Sequence, residues 1–247
     1  MLVRASIVLL AFLAAGSAAA APDLPGGLNI DPTRIVLQAQ HPVSSLSVAN
    51  EGTVGVLMRV SAVSWSQHSR DRSLPRDTLM PTGDLIAVPP IFLLEPGASQ
   101  IVRVGLTQTG PVGREAAYRL LVGEVPTRRP GDLTSLVSLR LSIPVFASPR
   151  MVSVERAEWS AAAPDENHLE VTLRNNGNNH LHVAWLRLYA DAQHRVLLAA
   201  KPVATYVLAG QSATWSFSAA GARAQAIFIE ADSVEGPLRG VAVVRAR

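Results

Sequence analysis

The stretch Leu133-Thr134-Ser135-Leu136-Val137-Ser138-Leu139-Arg140-Leu141-Ser142-Ile143-Pro144-Val145-Phe146 decides the reading of this chain. Its odd positions are almost all aliphatic, and its even positions carry Thr, Ser, Arg and Pro. That alternation is the period of a β-strand with one apolar face. A strand usually runs for about 5–6 residues, so this one is long. It either lies within a sandwich, its apolar row in the core, or offers an edge to something else.

Outward from it, the same signature repeats. Before it, Ile30–Gln38, Ser45–Asn50, Val54–Trp65, Leu85–Val88, Ile91–Leu94, Ser99–Thr107 and Ala117–Val125 are expected strands. After it come Met151–Ala157, Leu169–Arg174, Leu181–Tyr189, Val196–Leu198, Thr205–Leu208, Ser212–Ser218, Ala226–Ala231 and Leu238–Val244. The polar run Ser66–Pro81 is expected to be a surface loop. No amphipathic helix is evident. Short strands between turn residues predict an all-β fold of antiparallel sandwiches, and 247 residues suffice for two. An internal echo agrees: the turns Asn50-Glu51-Gly52 and Asn175-Asn176-Gly177 occupy similar places in the two halves.

The first residues read as a targeting segment. Arg4 precedes the apolar run Ala5–Ala15, and Ala18-Ala19-Ala20 fits cleavage before Ala21. The run is short and Ala-rich against the ~20 apolar residues of a membrane span. We therefore expect a signal peptide over 1–20, no membrane insertion of the mature chain, an N-terminal domain over 21–149 and a C-terminal domain over 150–247. There is no cysteine, so thiol catalysis, thiolate metal sites and disulfides are excluded. Net charge is +3 with no basic block, too little for a nucleic-acid footprint.

Catalytic and cofactor motifs are missing too. The chain lacks G-x-S-x-G, G-x-G-x-x-G, a phosphate loop and H-E-x-x-H. His180 and His182 share a strand face but have no evident third ligand, so they read as surface imidazoles and no metal is expected. No nucleophile, base and oxyanion set can be assembled, and the chain is read as a non-enzyme.

Several segments carry a resemblance. Pro89–Gly97 (PPIFLLEPG), Ser99–Val104, Tyr118–Pro126 and the strand ending Pro144-Val145-Phe146 with Pro149 beyond resemble the PapD-like periplasmic pilus chaperones of chaperone–usher systems. The opening Asp31–Val36 resembles that family's first strand. The second half resembles it more loosely, through Arg174–Asn178 and Glu230–Asp232. The resemblance implies two immunoglobulin-like sandwiches in a boomerang arrangement, located in the periplasm. It implies an ATP-independent, cofactor-free chaperone that binds pilus or fimbrial subunits by donor-strand complementation and delivers them to an outer-membrane usher.

Val137, Leu139, Leu141 and Ile143 would be the donated side chains; the competing reading is that they fill their own sandwich. Two basic residues would anchor the subunit's terminal carboxylate. Arg34 matches the first, but the second, a Lys in the family, falls on Pro144 here. Arg140 and Arg119 are the candidate replacements, against the plainer reading of each as a solvated or interdomain Arg. The family's interdomain charge cluster is matched at Glu115 and Asp232, with Ser148 at its Arg position and Arg150 as a substitute. This departure and the strand sequences resemble the archaic or alternative branch. Self-association of the free chain is left open. The alternative from another class is an exported structural or adhesive tandem sandwich.

Overall fold

A computed structural model describes residues 27–68, 76–108, 110–125, 140–218, 226–234 and 236–246. The expected signal segment and the first part of the long strand, with Val137 and Leu139, lie outside the described residues. Every element described is a strand, and the fold is two-domain and all-β.

Among the described residues the first half holds ten strands: β1 (Leu28–Asp31), β2 (Ile35–Leu37), β3 (Val43–Asn50), β4 (Val56–His68), β5 (Arg76–Pro81), β6 (Leu85–Val88), β7 (Ile91–Leu94), β8 (Ser99–Leu106), β9 (Ala116–Glu124) and β10 (Arg140–Ala147). One sheet has the order β1-β3-β8-β6. The other has the order β2-β10-β9-β4-β5, with β7 also on β4. Alternation explains their packing. Leu46, Val48, Val102 and Val104 from the first meet Met58, Val60, Leu120, Val122, Ile143 and Val145 from the second in one buried core. Each such side chain contributes about 1.5–3 kcal/mol as an upper range.

The second half holds β11 (Ala157–Ala163), β12 (His168–Asn175), β13 (Leu181–Tyr189), β14 (Leu197–Val207), β15 (Ser212–Ser218), β16 (Ala226–Asp232) and β17 (Leu238–Ala246). They are linked in the order β14-β13-β16-β17-β11-β12-β15. β17 pairs with β16 through Leu238–Val243 and with β11 from Val244 on, so one strand serves both layers around the second core.

Four strand expectations change. Ile30–Gln38 is not one strand: β1 ends at Asp31 on β3 in the first sheet and β2 begins at Ile35 on β10 in the second, so the chain crosses between sheets at residues 32–34. Ser66–Pro81 is not all loop, because Arg76–Pro81 pairs with Val63–His68. Every residue of β5 is exposed, so it has no apolar row to betray it. Met151–Ala157 is not a strand: residues 151–156 form the connection between the halves, and the strand begins at Ala157. Val196–Leu198 and Thr205–Leu208 lie on one strand, β14, whose pairing with β13 shifts register twice. Those irregularities break the alternation that a sequence reading follows.

The repeated turn is a repeated device. Asn50 and Asn175 are both buried. Each side-chain oxygen accepts from the backbone N–H two residues on, Gly52 and Gly177. Each amide nitrogen donates to two carbonyls: Val54 and Leu94 for Asn50, Asn179 and Val207 for Asn175. In both halves a glycine at positive φ, Gly97 at 73° and Gly210 at 79°, donates its N–H back to the asparagine carbonyl. Glycine reaches that conformation without steric cost.

Candidate functional site

β10 is used on both faces. Leu141 is half-buried against the first core, and Ile143 and Val145 lie within it. On the other face the row Arg140, Ser142, Pro144, Phe146 passes from exposed to buried. Phe146 ends that row at the junction of the two halves, clustered with Trp65 and Leu208, with Ala117 and Tyr206 packed alongside.

Aromatic rings fill the junction. His180 stacks on Phe146 with centroids 3.5 Å apart and planes 11° apart. Trp65 meets Tyr206 edge-on at 5.8 Å, and His182 packs on Tyr206 at 4.4 Å. Offset and edge-on rings contribute about 0.5–1.5 kcal/mol beyond their burial.

His180 is buried rather than a surface imidazole. Its backbone N–H donates to Glu115 at 2.9 Å, and Nδ1 lies 2.8 and 3.0 Å from the two carboxylate oxygens. With Nδ1–H donating to Glu115, Nε2 is left to accept from Arg34, whose Nη1 lies 3.4 Å away. Glu115 thus finds its cation-capable partner across the junction, in the place of the missing Arg at Ser148. Asp232 is not part of that cluster. It is held bidentately by Arg187 at 2.7 and 2.9 Å, and the Arg187 hydrogen bonds pull its carboxyl below the usual range, against its desolvation.

Gln67, which the sequence did not single out, ties the halves by its amide. Nε2 donates to Asp77 and to the Tyr206 carbonyl, both at 3.0 Å, and Oε1 accepts from Leu208 N–H at 2.9 Å. Asn178 does the same for the connection. It donates to the carbonyls of Gly113 and Val152 and accepts from Val154 N–H.

The three candidate arginines occupy two places. Arg34 is half-buried at the junction. Arg119 is there as well: in the β9–β10 register it is directly opposite Pro144, the position of the missing Lys. Its guanidinium lies 3.7 Å over the Trp65 ring and 3.8 Å from Asp77. Burial lowers its pKa from the ordinary value, opposed by Asp77 and the Tyr206 hydroxyl. Arg140 is elsewhere, exposed on the same sheet face but four residues along β10. Trp65, Asp77 and Gln67 join the site unforeseen; Asp77 lies in the stretch read as loop.

The edge of β10 completes the geometry. On one side β9 pairs with all of Arg140–Ala147. On the other, β2 pairs only with Val145–Ala147, in parallel. Among the described residues no strand pairs with that second side over Arg140–Pro144. Among them, too, no group of three metal-ligating side chains assembles.

The profile of the pili and flagellar-assembly chaperones, PapD N-terminal domain, matches residues 27–153, more than half of the chain. A chaperone protein, FimB/FhaD, of Bordetella pertussis is 27% identical over 148 residues, covering 57% of this chain and 58% of that protein. The chaperone protein PapD of Escherichia coli is 25% identical over 134 residues, covering 53% and 52%. The chain thus spans about half the length of these relatives. Among solved structures, a chain in the chaperone–tip subunit complex from the archaic chaperone–usher Csu pili of Acinetobacter baumannii matches with a TM-score of 0.62 at 19% identity, covering 88% of this chain and 99% of that one. One in the complex of the SafA pilin with the SafB chaperone of Salmonella enterica matches at 0.57 and 20%, covering 87% and 95%. At those identities the likeness is one of fold. The profile runs from the residue before β1 through β10 and into the connection, and on that match the chain belongs to the PapD family of pili and flagellar-assembly chaperones.

Proposed function

We propose that this chain is an ATP-independent periplasmic chaperone of the archaic or alternative branch, which captures pilus or fimbrial subunits by lending them a strand and passes them to an outer-membrane usher. The observation that carries the reading is the open edge of β10 over Arg140–Pro144, beside an aliphatic row that already ends in the chain's own core. A strand added there gains main-chain hydrogen bonds, and alternate side chains fill the subunit's groove. Val137, Leu139 and Leu141 then belong to the donated row. Ile143, buried among its own sandwich, is where that row passes from client to chaperone.

Arg34 and Arg119 form the carboxylate anchor in this reading. Arg119 takes over from the family Lys because it is the cross-strand neighbour of Pro144, and guanidinium suits bidentate carboxylate binding. Both are half-buried beside the aromatic junction, where a charge-assisted bond is worth more than in open water.

The test is a pull-down of tagged protein from the periplasm of its own host, with mass spectrometry of what co-purifies. A stoichiometric small β-rich subunit is expected, lost in Leu139→Asp while the chaperone stays folded. Arg34→Ala should weaken capture by about 1.5–3 kcal/mol. Capture that survives Leu139→Asp removes the donor row from this reading. A clean monomer under conditions where fibres are made turns the reading to an exported tandem sandwich with a structural or adhesive role.

A further inference from the structure

The outer face of the six-stranded sheet carries a second basic station that the anchor does not use. Arg59 on β4 lies opposite Gly123 on β9, and Gly123 lies opposite Arg140 on β10. Two arginines in one register row thus flank a residue without a side chain, and both are exposed. A cavity of about 440 Å3 lies there, floored by Gly123 and Leu121 and walled by Arg59, Arg140, Ser61 and Glu124. Two guanidiniums against one carboxylate leave its rim positive.

Its position relative to the anchor matters. The rows run Arg59/Gly123/Arg140, then Ser61/Leu121/Ser142, then Val63/Arg119/Pro144. The first and third rows are four residues apart, about 13 Å at ~3.3 Å per residue. The open edge of β10 joins them. A strand paired with that edge and ending its carboxylate at the Arg119 row keeps the two-residue alternation of side chains. The side chain four residues before its C terminus therefore lies on the outer face, beside Arg140.

We propose that Arg59, Gly123 and Arg140 form a carboxylate cradle that reads an acidic side chain four residues before the C terminus of the captured strand. The proposal rests on the strand-addition reading and adds a sequence preference to it. The carboxylate meets Arg140 at the open edge, and Gly123 leaves the Arg59 guanidinium room to extend toward it across β9, so that both charges favour it. The donated aliphatic row tolerates many apolar clients; the cradle ranks them by charge.

The probes are labelled nonapeptides Thr-Val-Thr-Val-X-Val-Thr-Val-Thr with a free C terminus and X as Glu, Gln or Lys, titrated into the full mature chain by fluorescence anisotropy. The Glu peptide should bind about tenfold more tightly than the Lys peptide, with the gap closing above roughly 0.5 M salt. Arg59→Gln with Arg140→Gln should erase the gap between the Glu and Lys peptides. Moving Glu one position either way should erase it too. Equal binding of all three peptides overturns the cradle alone, provided C-terminal amidation or Arg34→Ala still weakens every one. If no peptide binds, or amidation changes nothing, the strand-addition reading fails and takes the cradle with it.

Discussion

Individual side chains at the junction do two jobs, and His180 shows the cost of losing one. It is stacked on Phe146 and hydrogen-bonded to the buried Glu115 carboxylate. His180→Ala leaves that carboxylate with the backbone N–H alone, so thermal unfolding should show a loss of about 3 kcal/mol; a loss under about 1 kcal/mol would mean that solvent replaces the imidazole freely. Asp232 offers a pH-resolved test. Its folded-state pKa is depressed by Arg187, so its contribution is present above the unfolded value and lost as pH falls through the folded one. Melting of Asp232→Asn should therefore trail the wild type near pH ~6, with the gap starting to close only below the ordinary Asp value of about 3.9 and shrinking as pH falls further. A gap that persists in acid would assign the effect to something other than the Arg187 pair. Resemblance singled out Glu115 and Asp232, but not the partners they take, His180 and Arg187. Glu115 and His180 are 65 positions apart, and neither a lone His at a strand start nor a lone Glu before a strand announces such a partner. The twin asparagines were legible, because a turn signal is local.

Strands were readable in proportion to how strictly they alternate. β3, β8, β9 and β12 have one buried row, and the sequence located each to within a few residues; β4 and β13 change buried face partway along, from Met58 and Val60 to Trp65 and Gln67 and from Leu181 and Val183 to Leu186 and Leu188. β5 has none, and β11, with the sequence AEWSAAA, buries mostly alanine. Small side chains give weak contrast between faces, so that strand was placed six residues early, on the connection. The connection is specified instead by close approach. A Cβ on Gly177 would occupy the space of the Val154 carbonyl oxygen, so only glycine lets β12's turn lie against residues 154–156. Gly177→Ala should cost about 1–3 kcal/mol and speed tryptic cleavage at Arg150 and Arg156. An unchanged cleavage rate would mean that Asn178 alone holds the segment.

The two sandwiches meet through rings and amides rather than through a broad aliphatic face. The junction cluster holds three buried apolar residues, Trp65, Phe146 and Leu208, against cores of many more on either side. The polar contacts that set their relative placement include the Gln67 amide, the Glu115–His180 pair, the Arg34–His180 hydrogen bond and the Asn178 clasp. The all-β class and the division into halves followed from alternation and turn spacing, and Arg34 as the proposed anchor from resemblance. The remainder of the site came from pairings that only the folded chain creates, such as Arg119 opposite Pro144. One of those pairings makes the chain its own optical gauge. The Arg119 guanidinium rests 3.7 Å over the Trp65 indole, while Trp159 and Trp215 sit in the second core and Trp185 is half exposed on the second sandwich. A carboxylate drawn to Arg119 changes the field across that one indole. Client capture should therefore alter the intrinsic emission without any label, and Trp65→Phe should silence the response while leaving the other three chromophores in place.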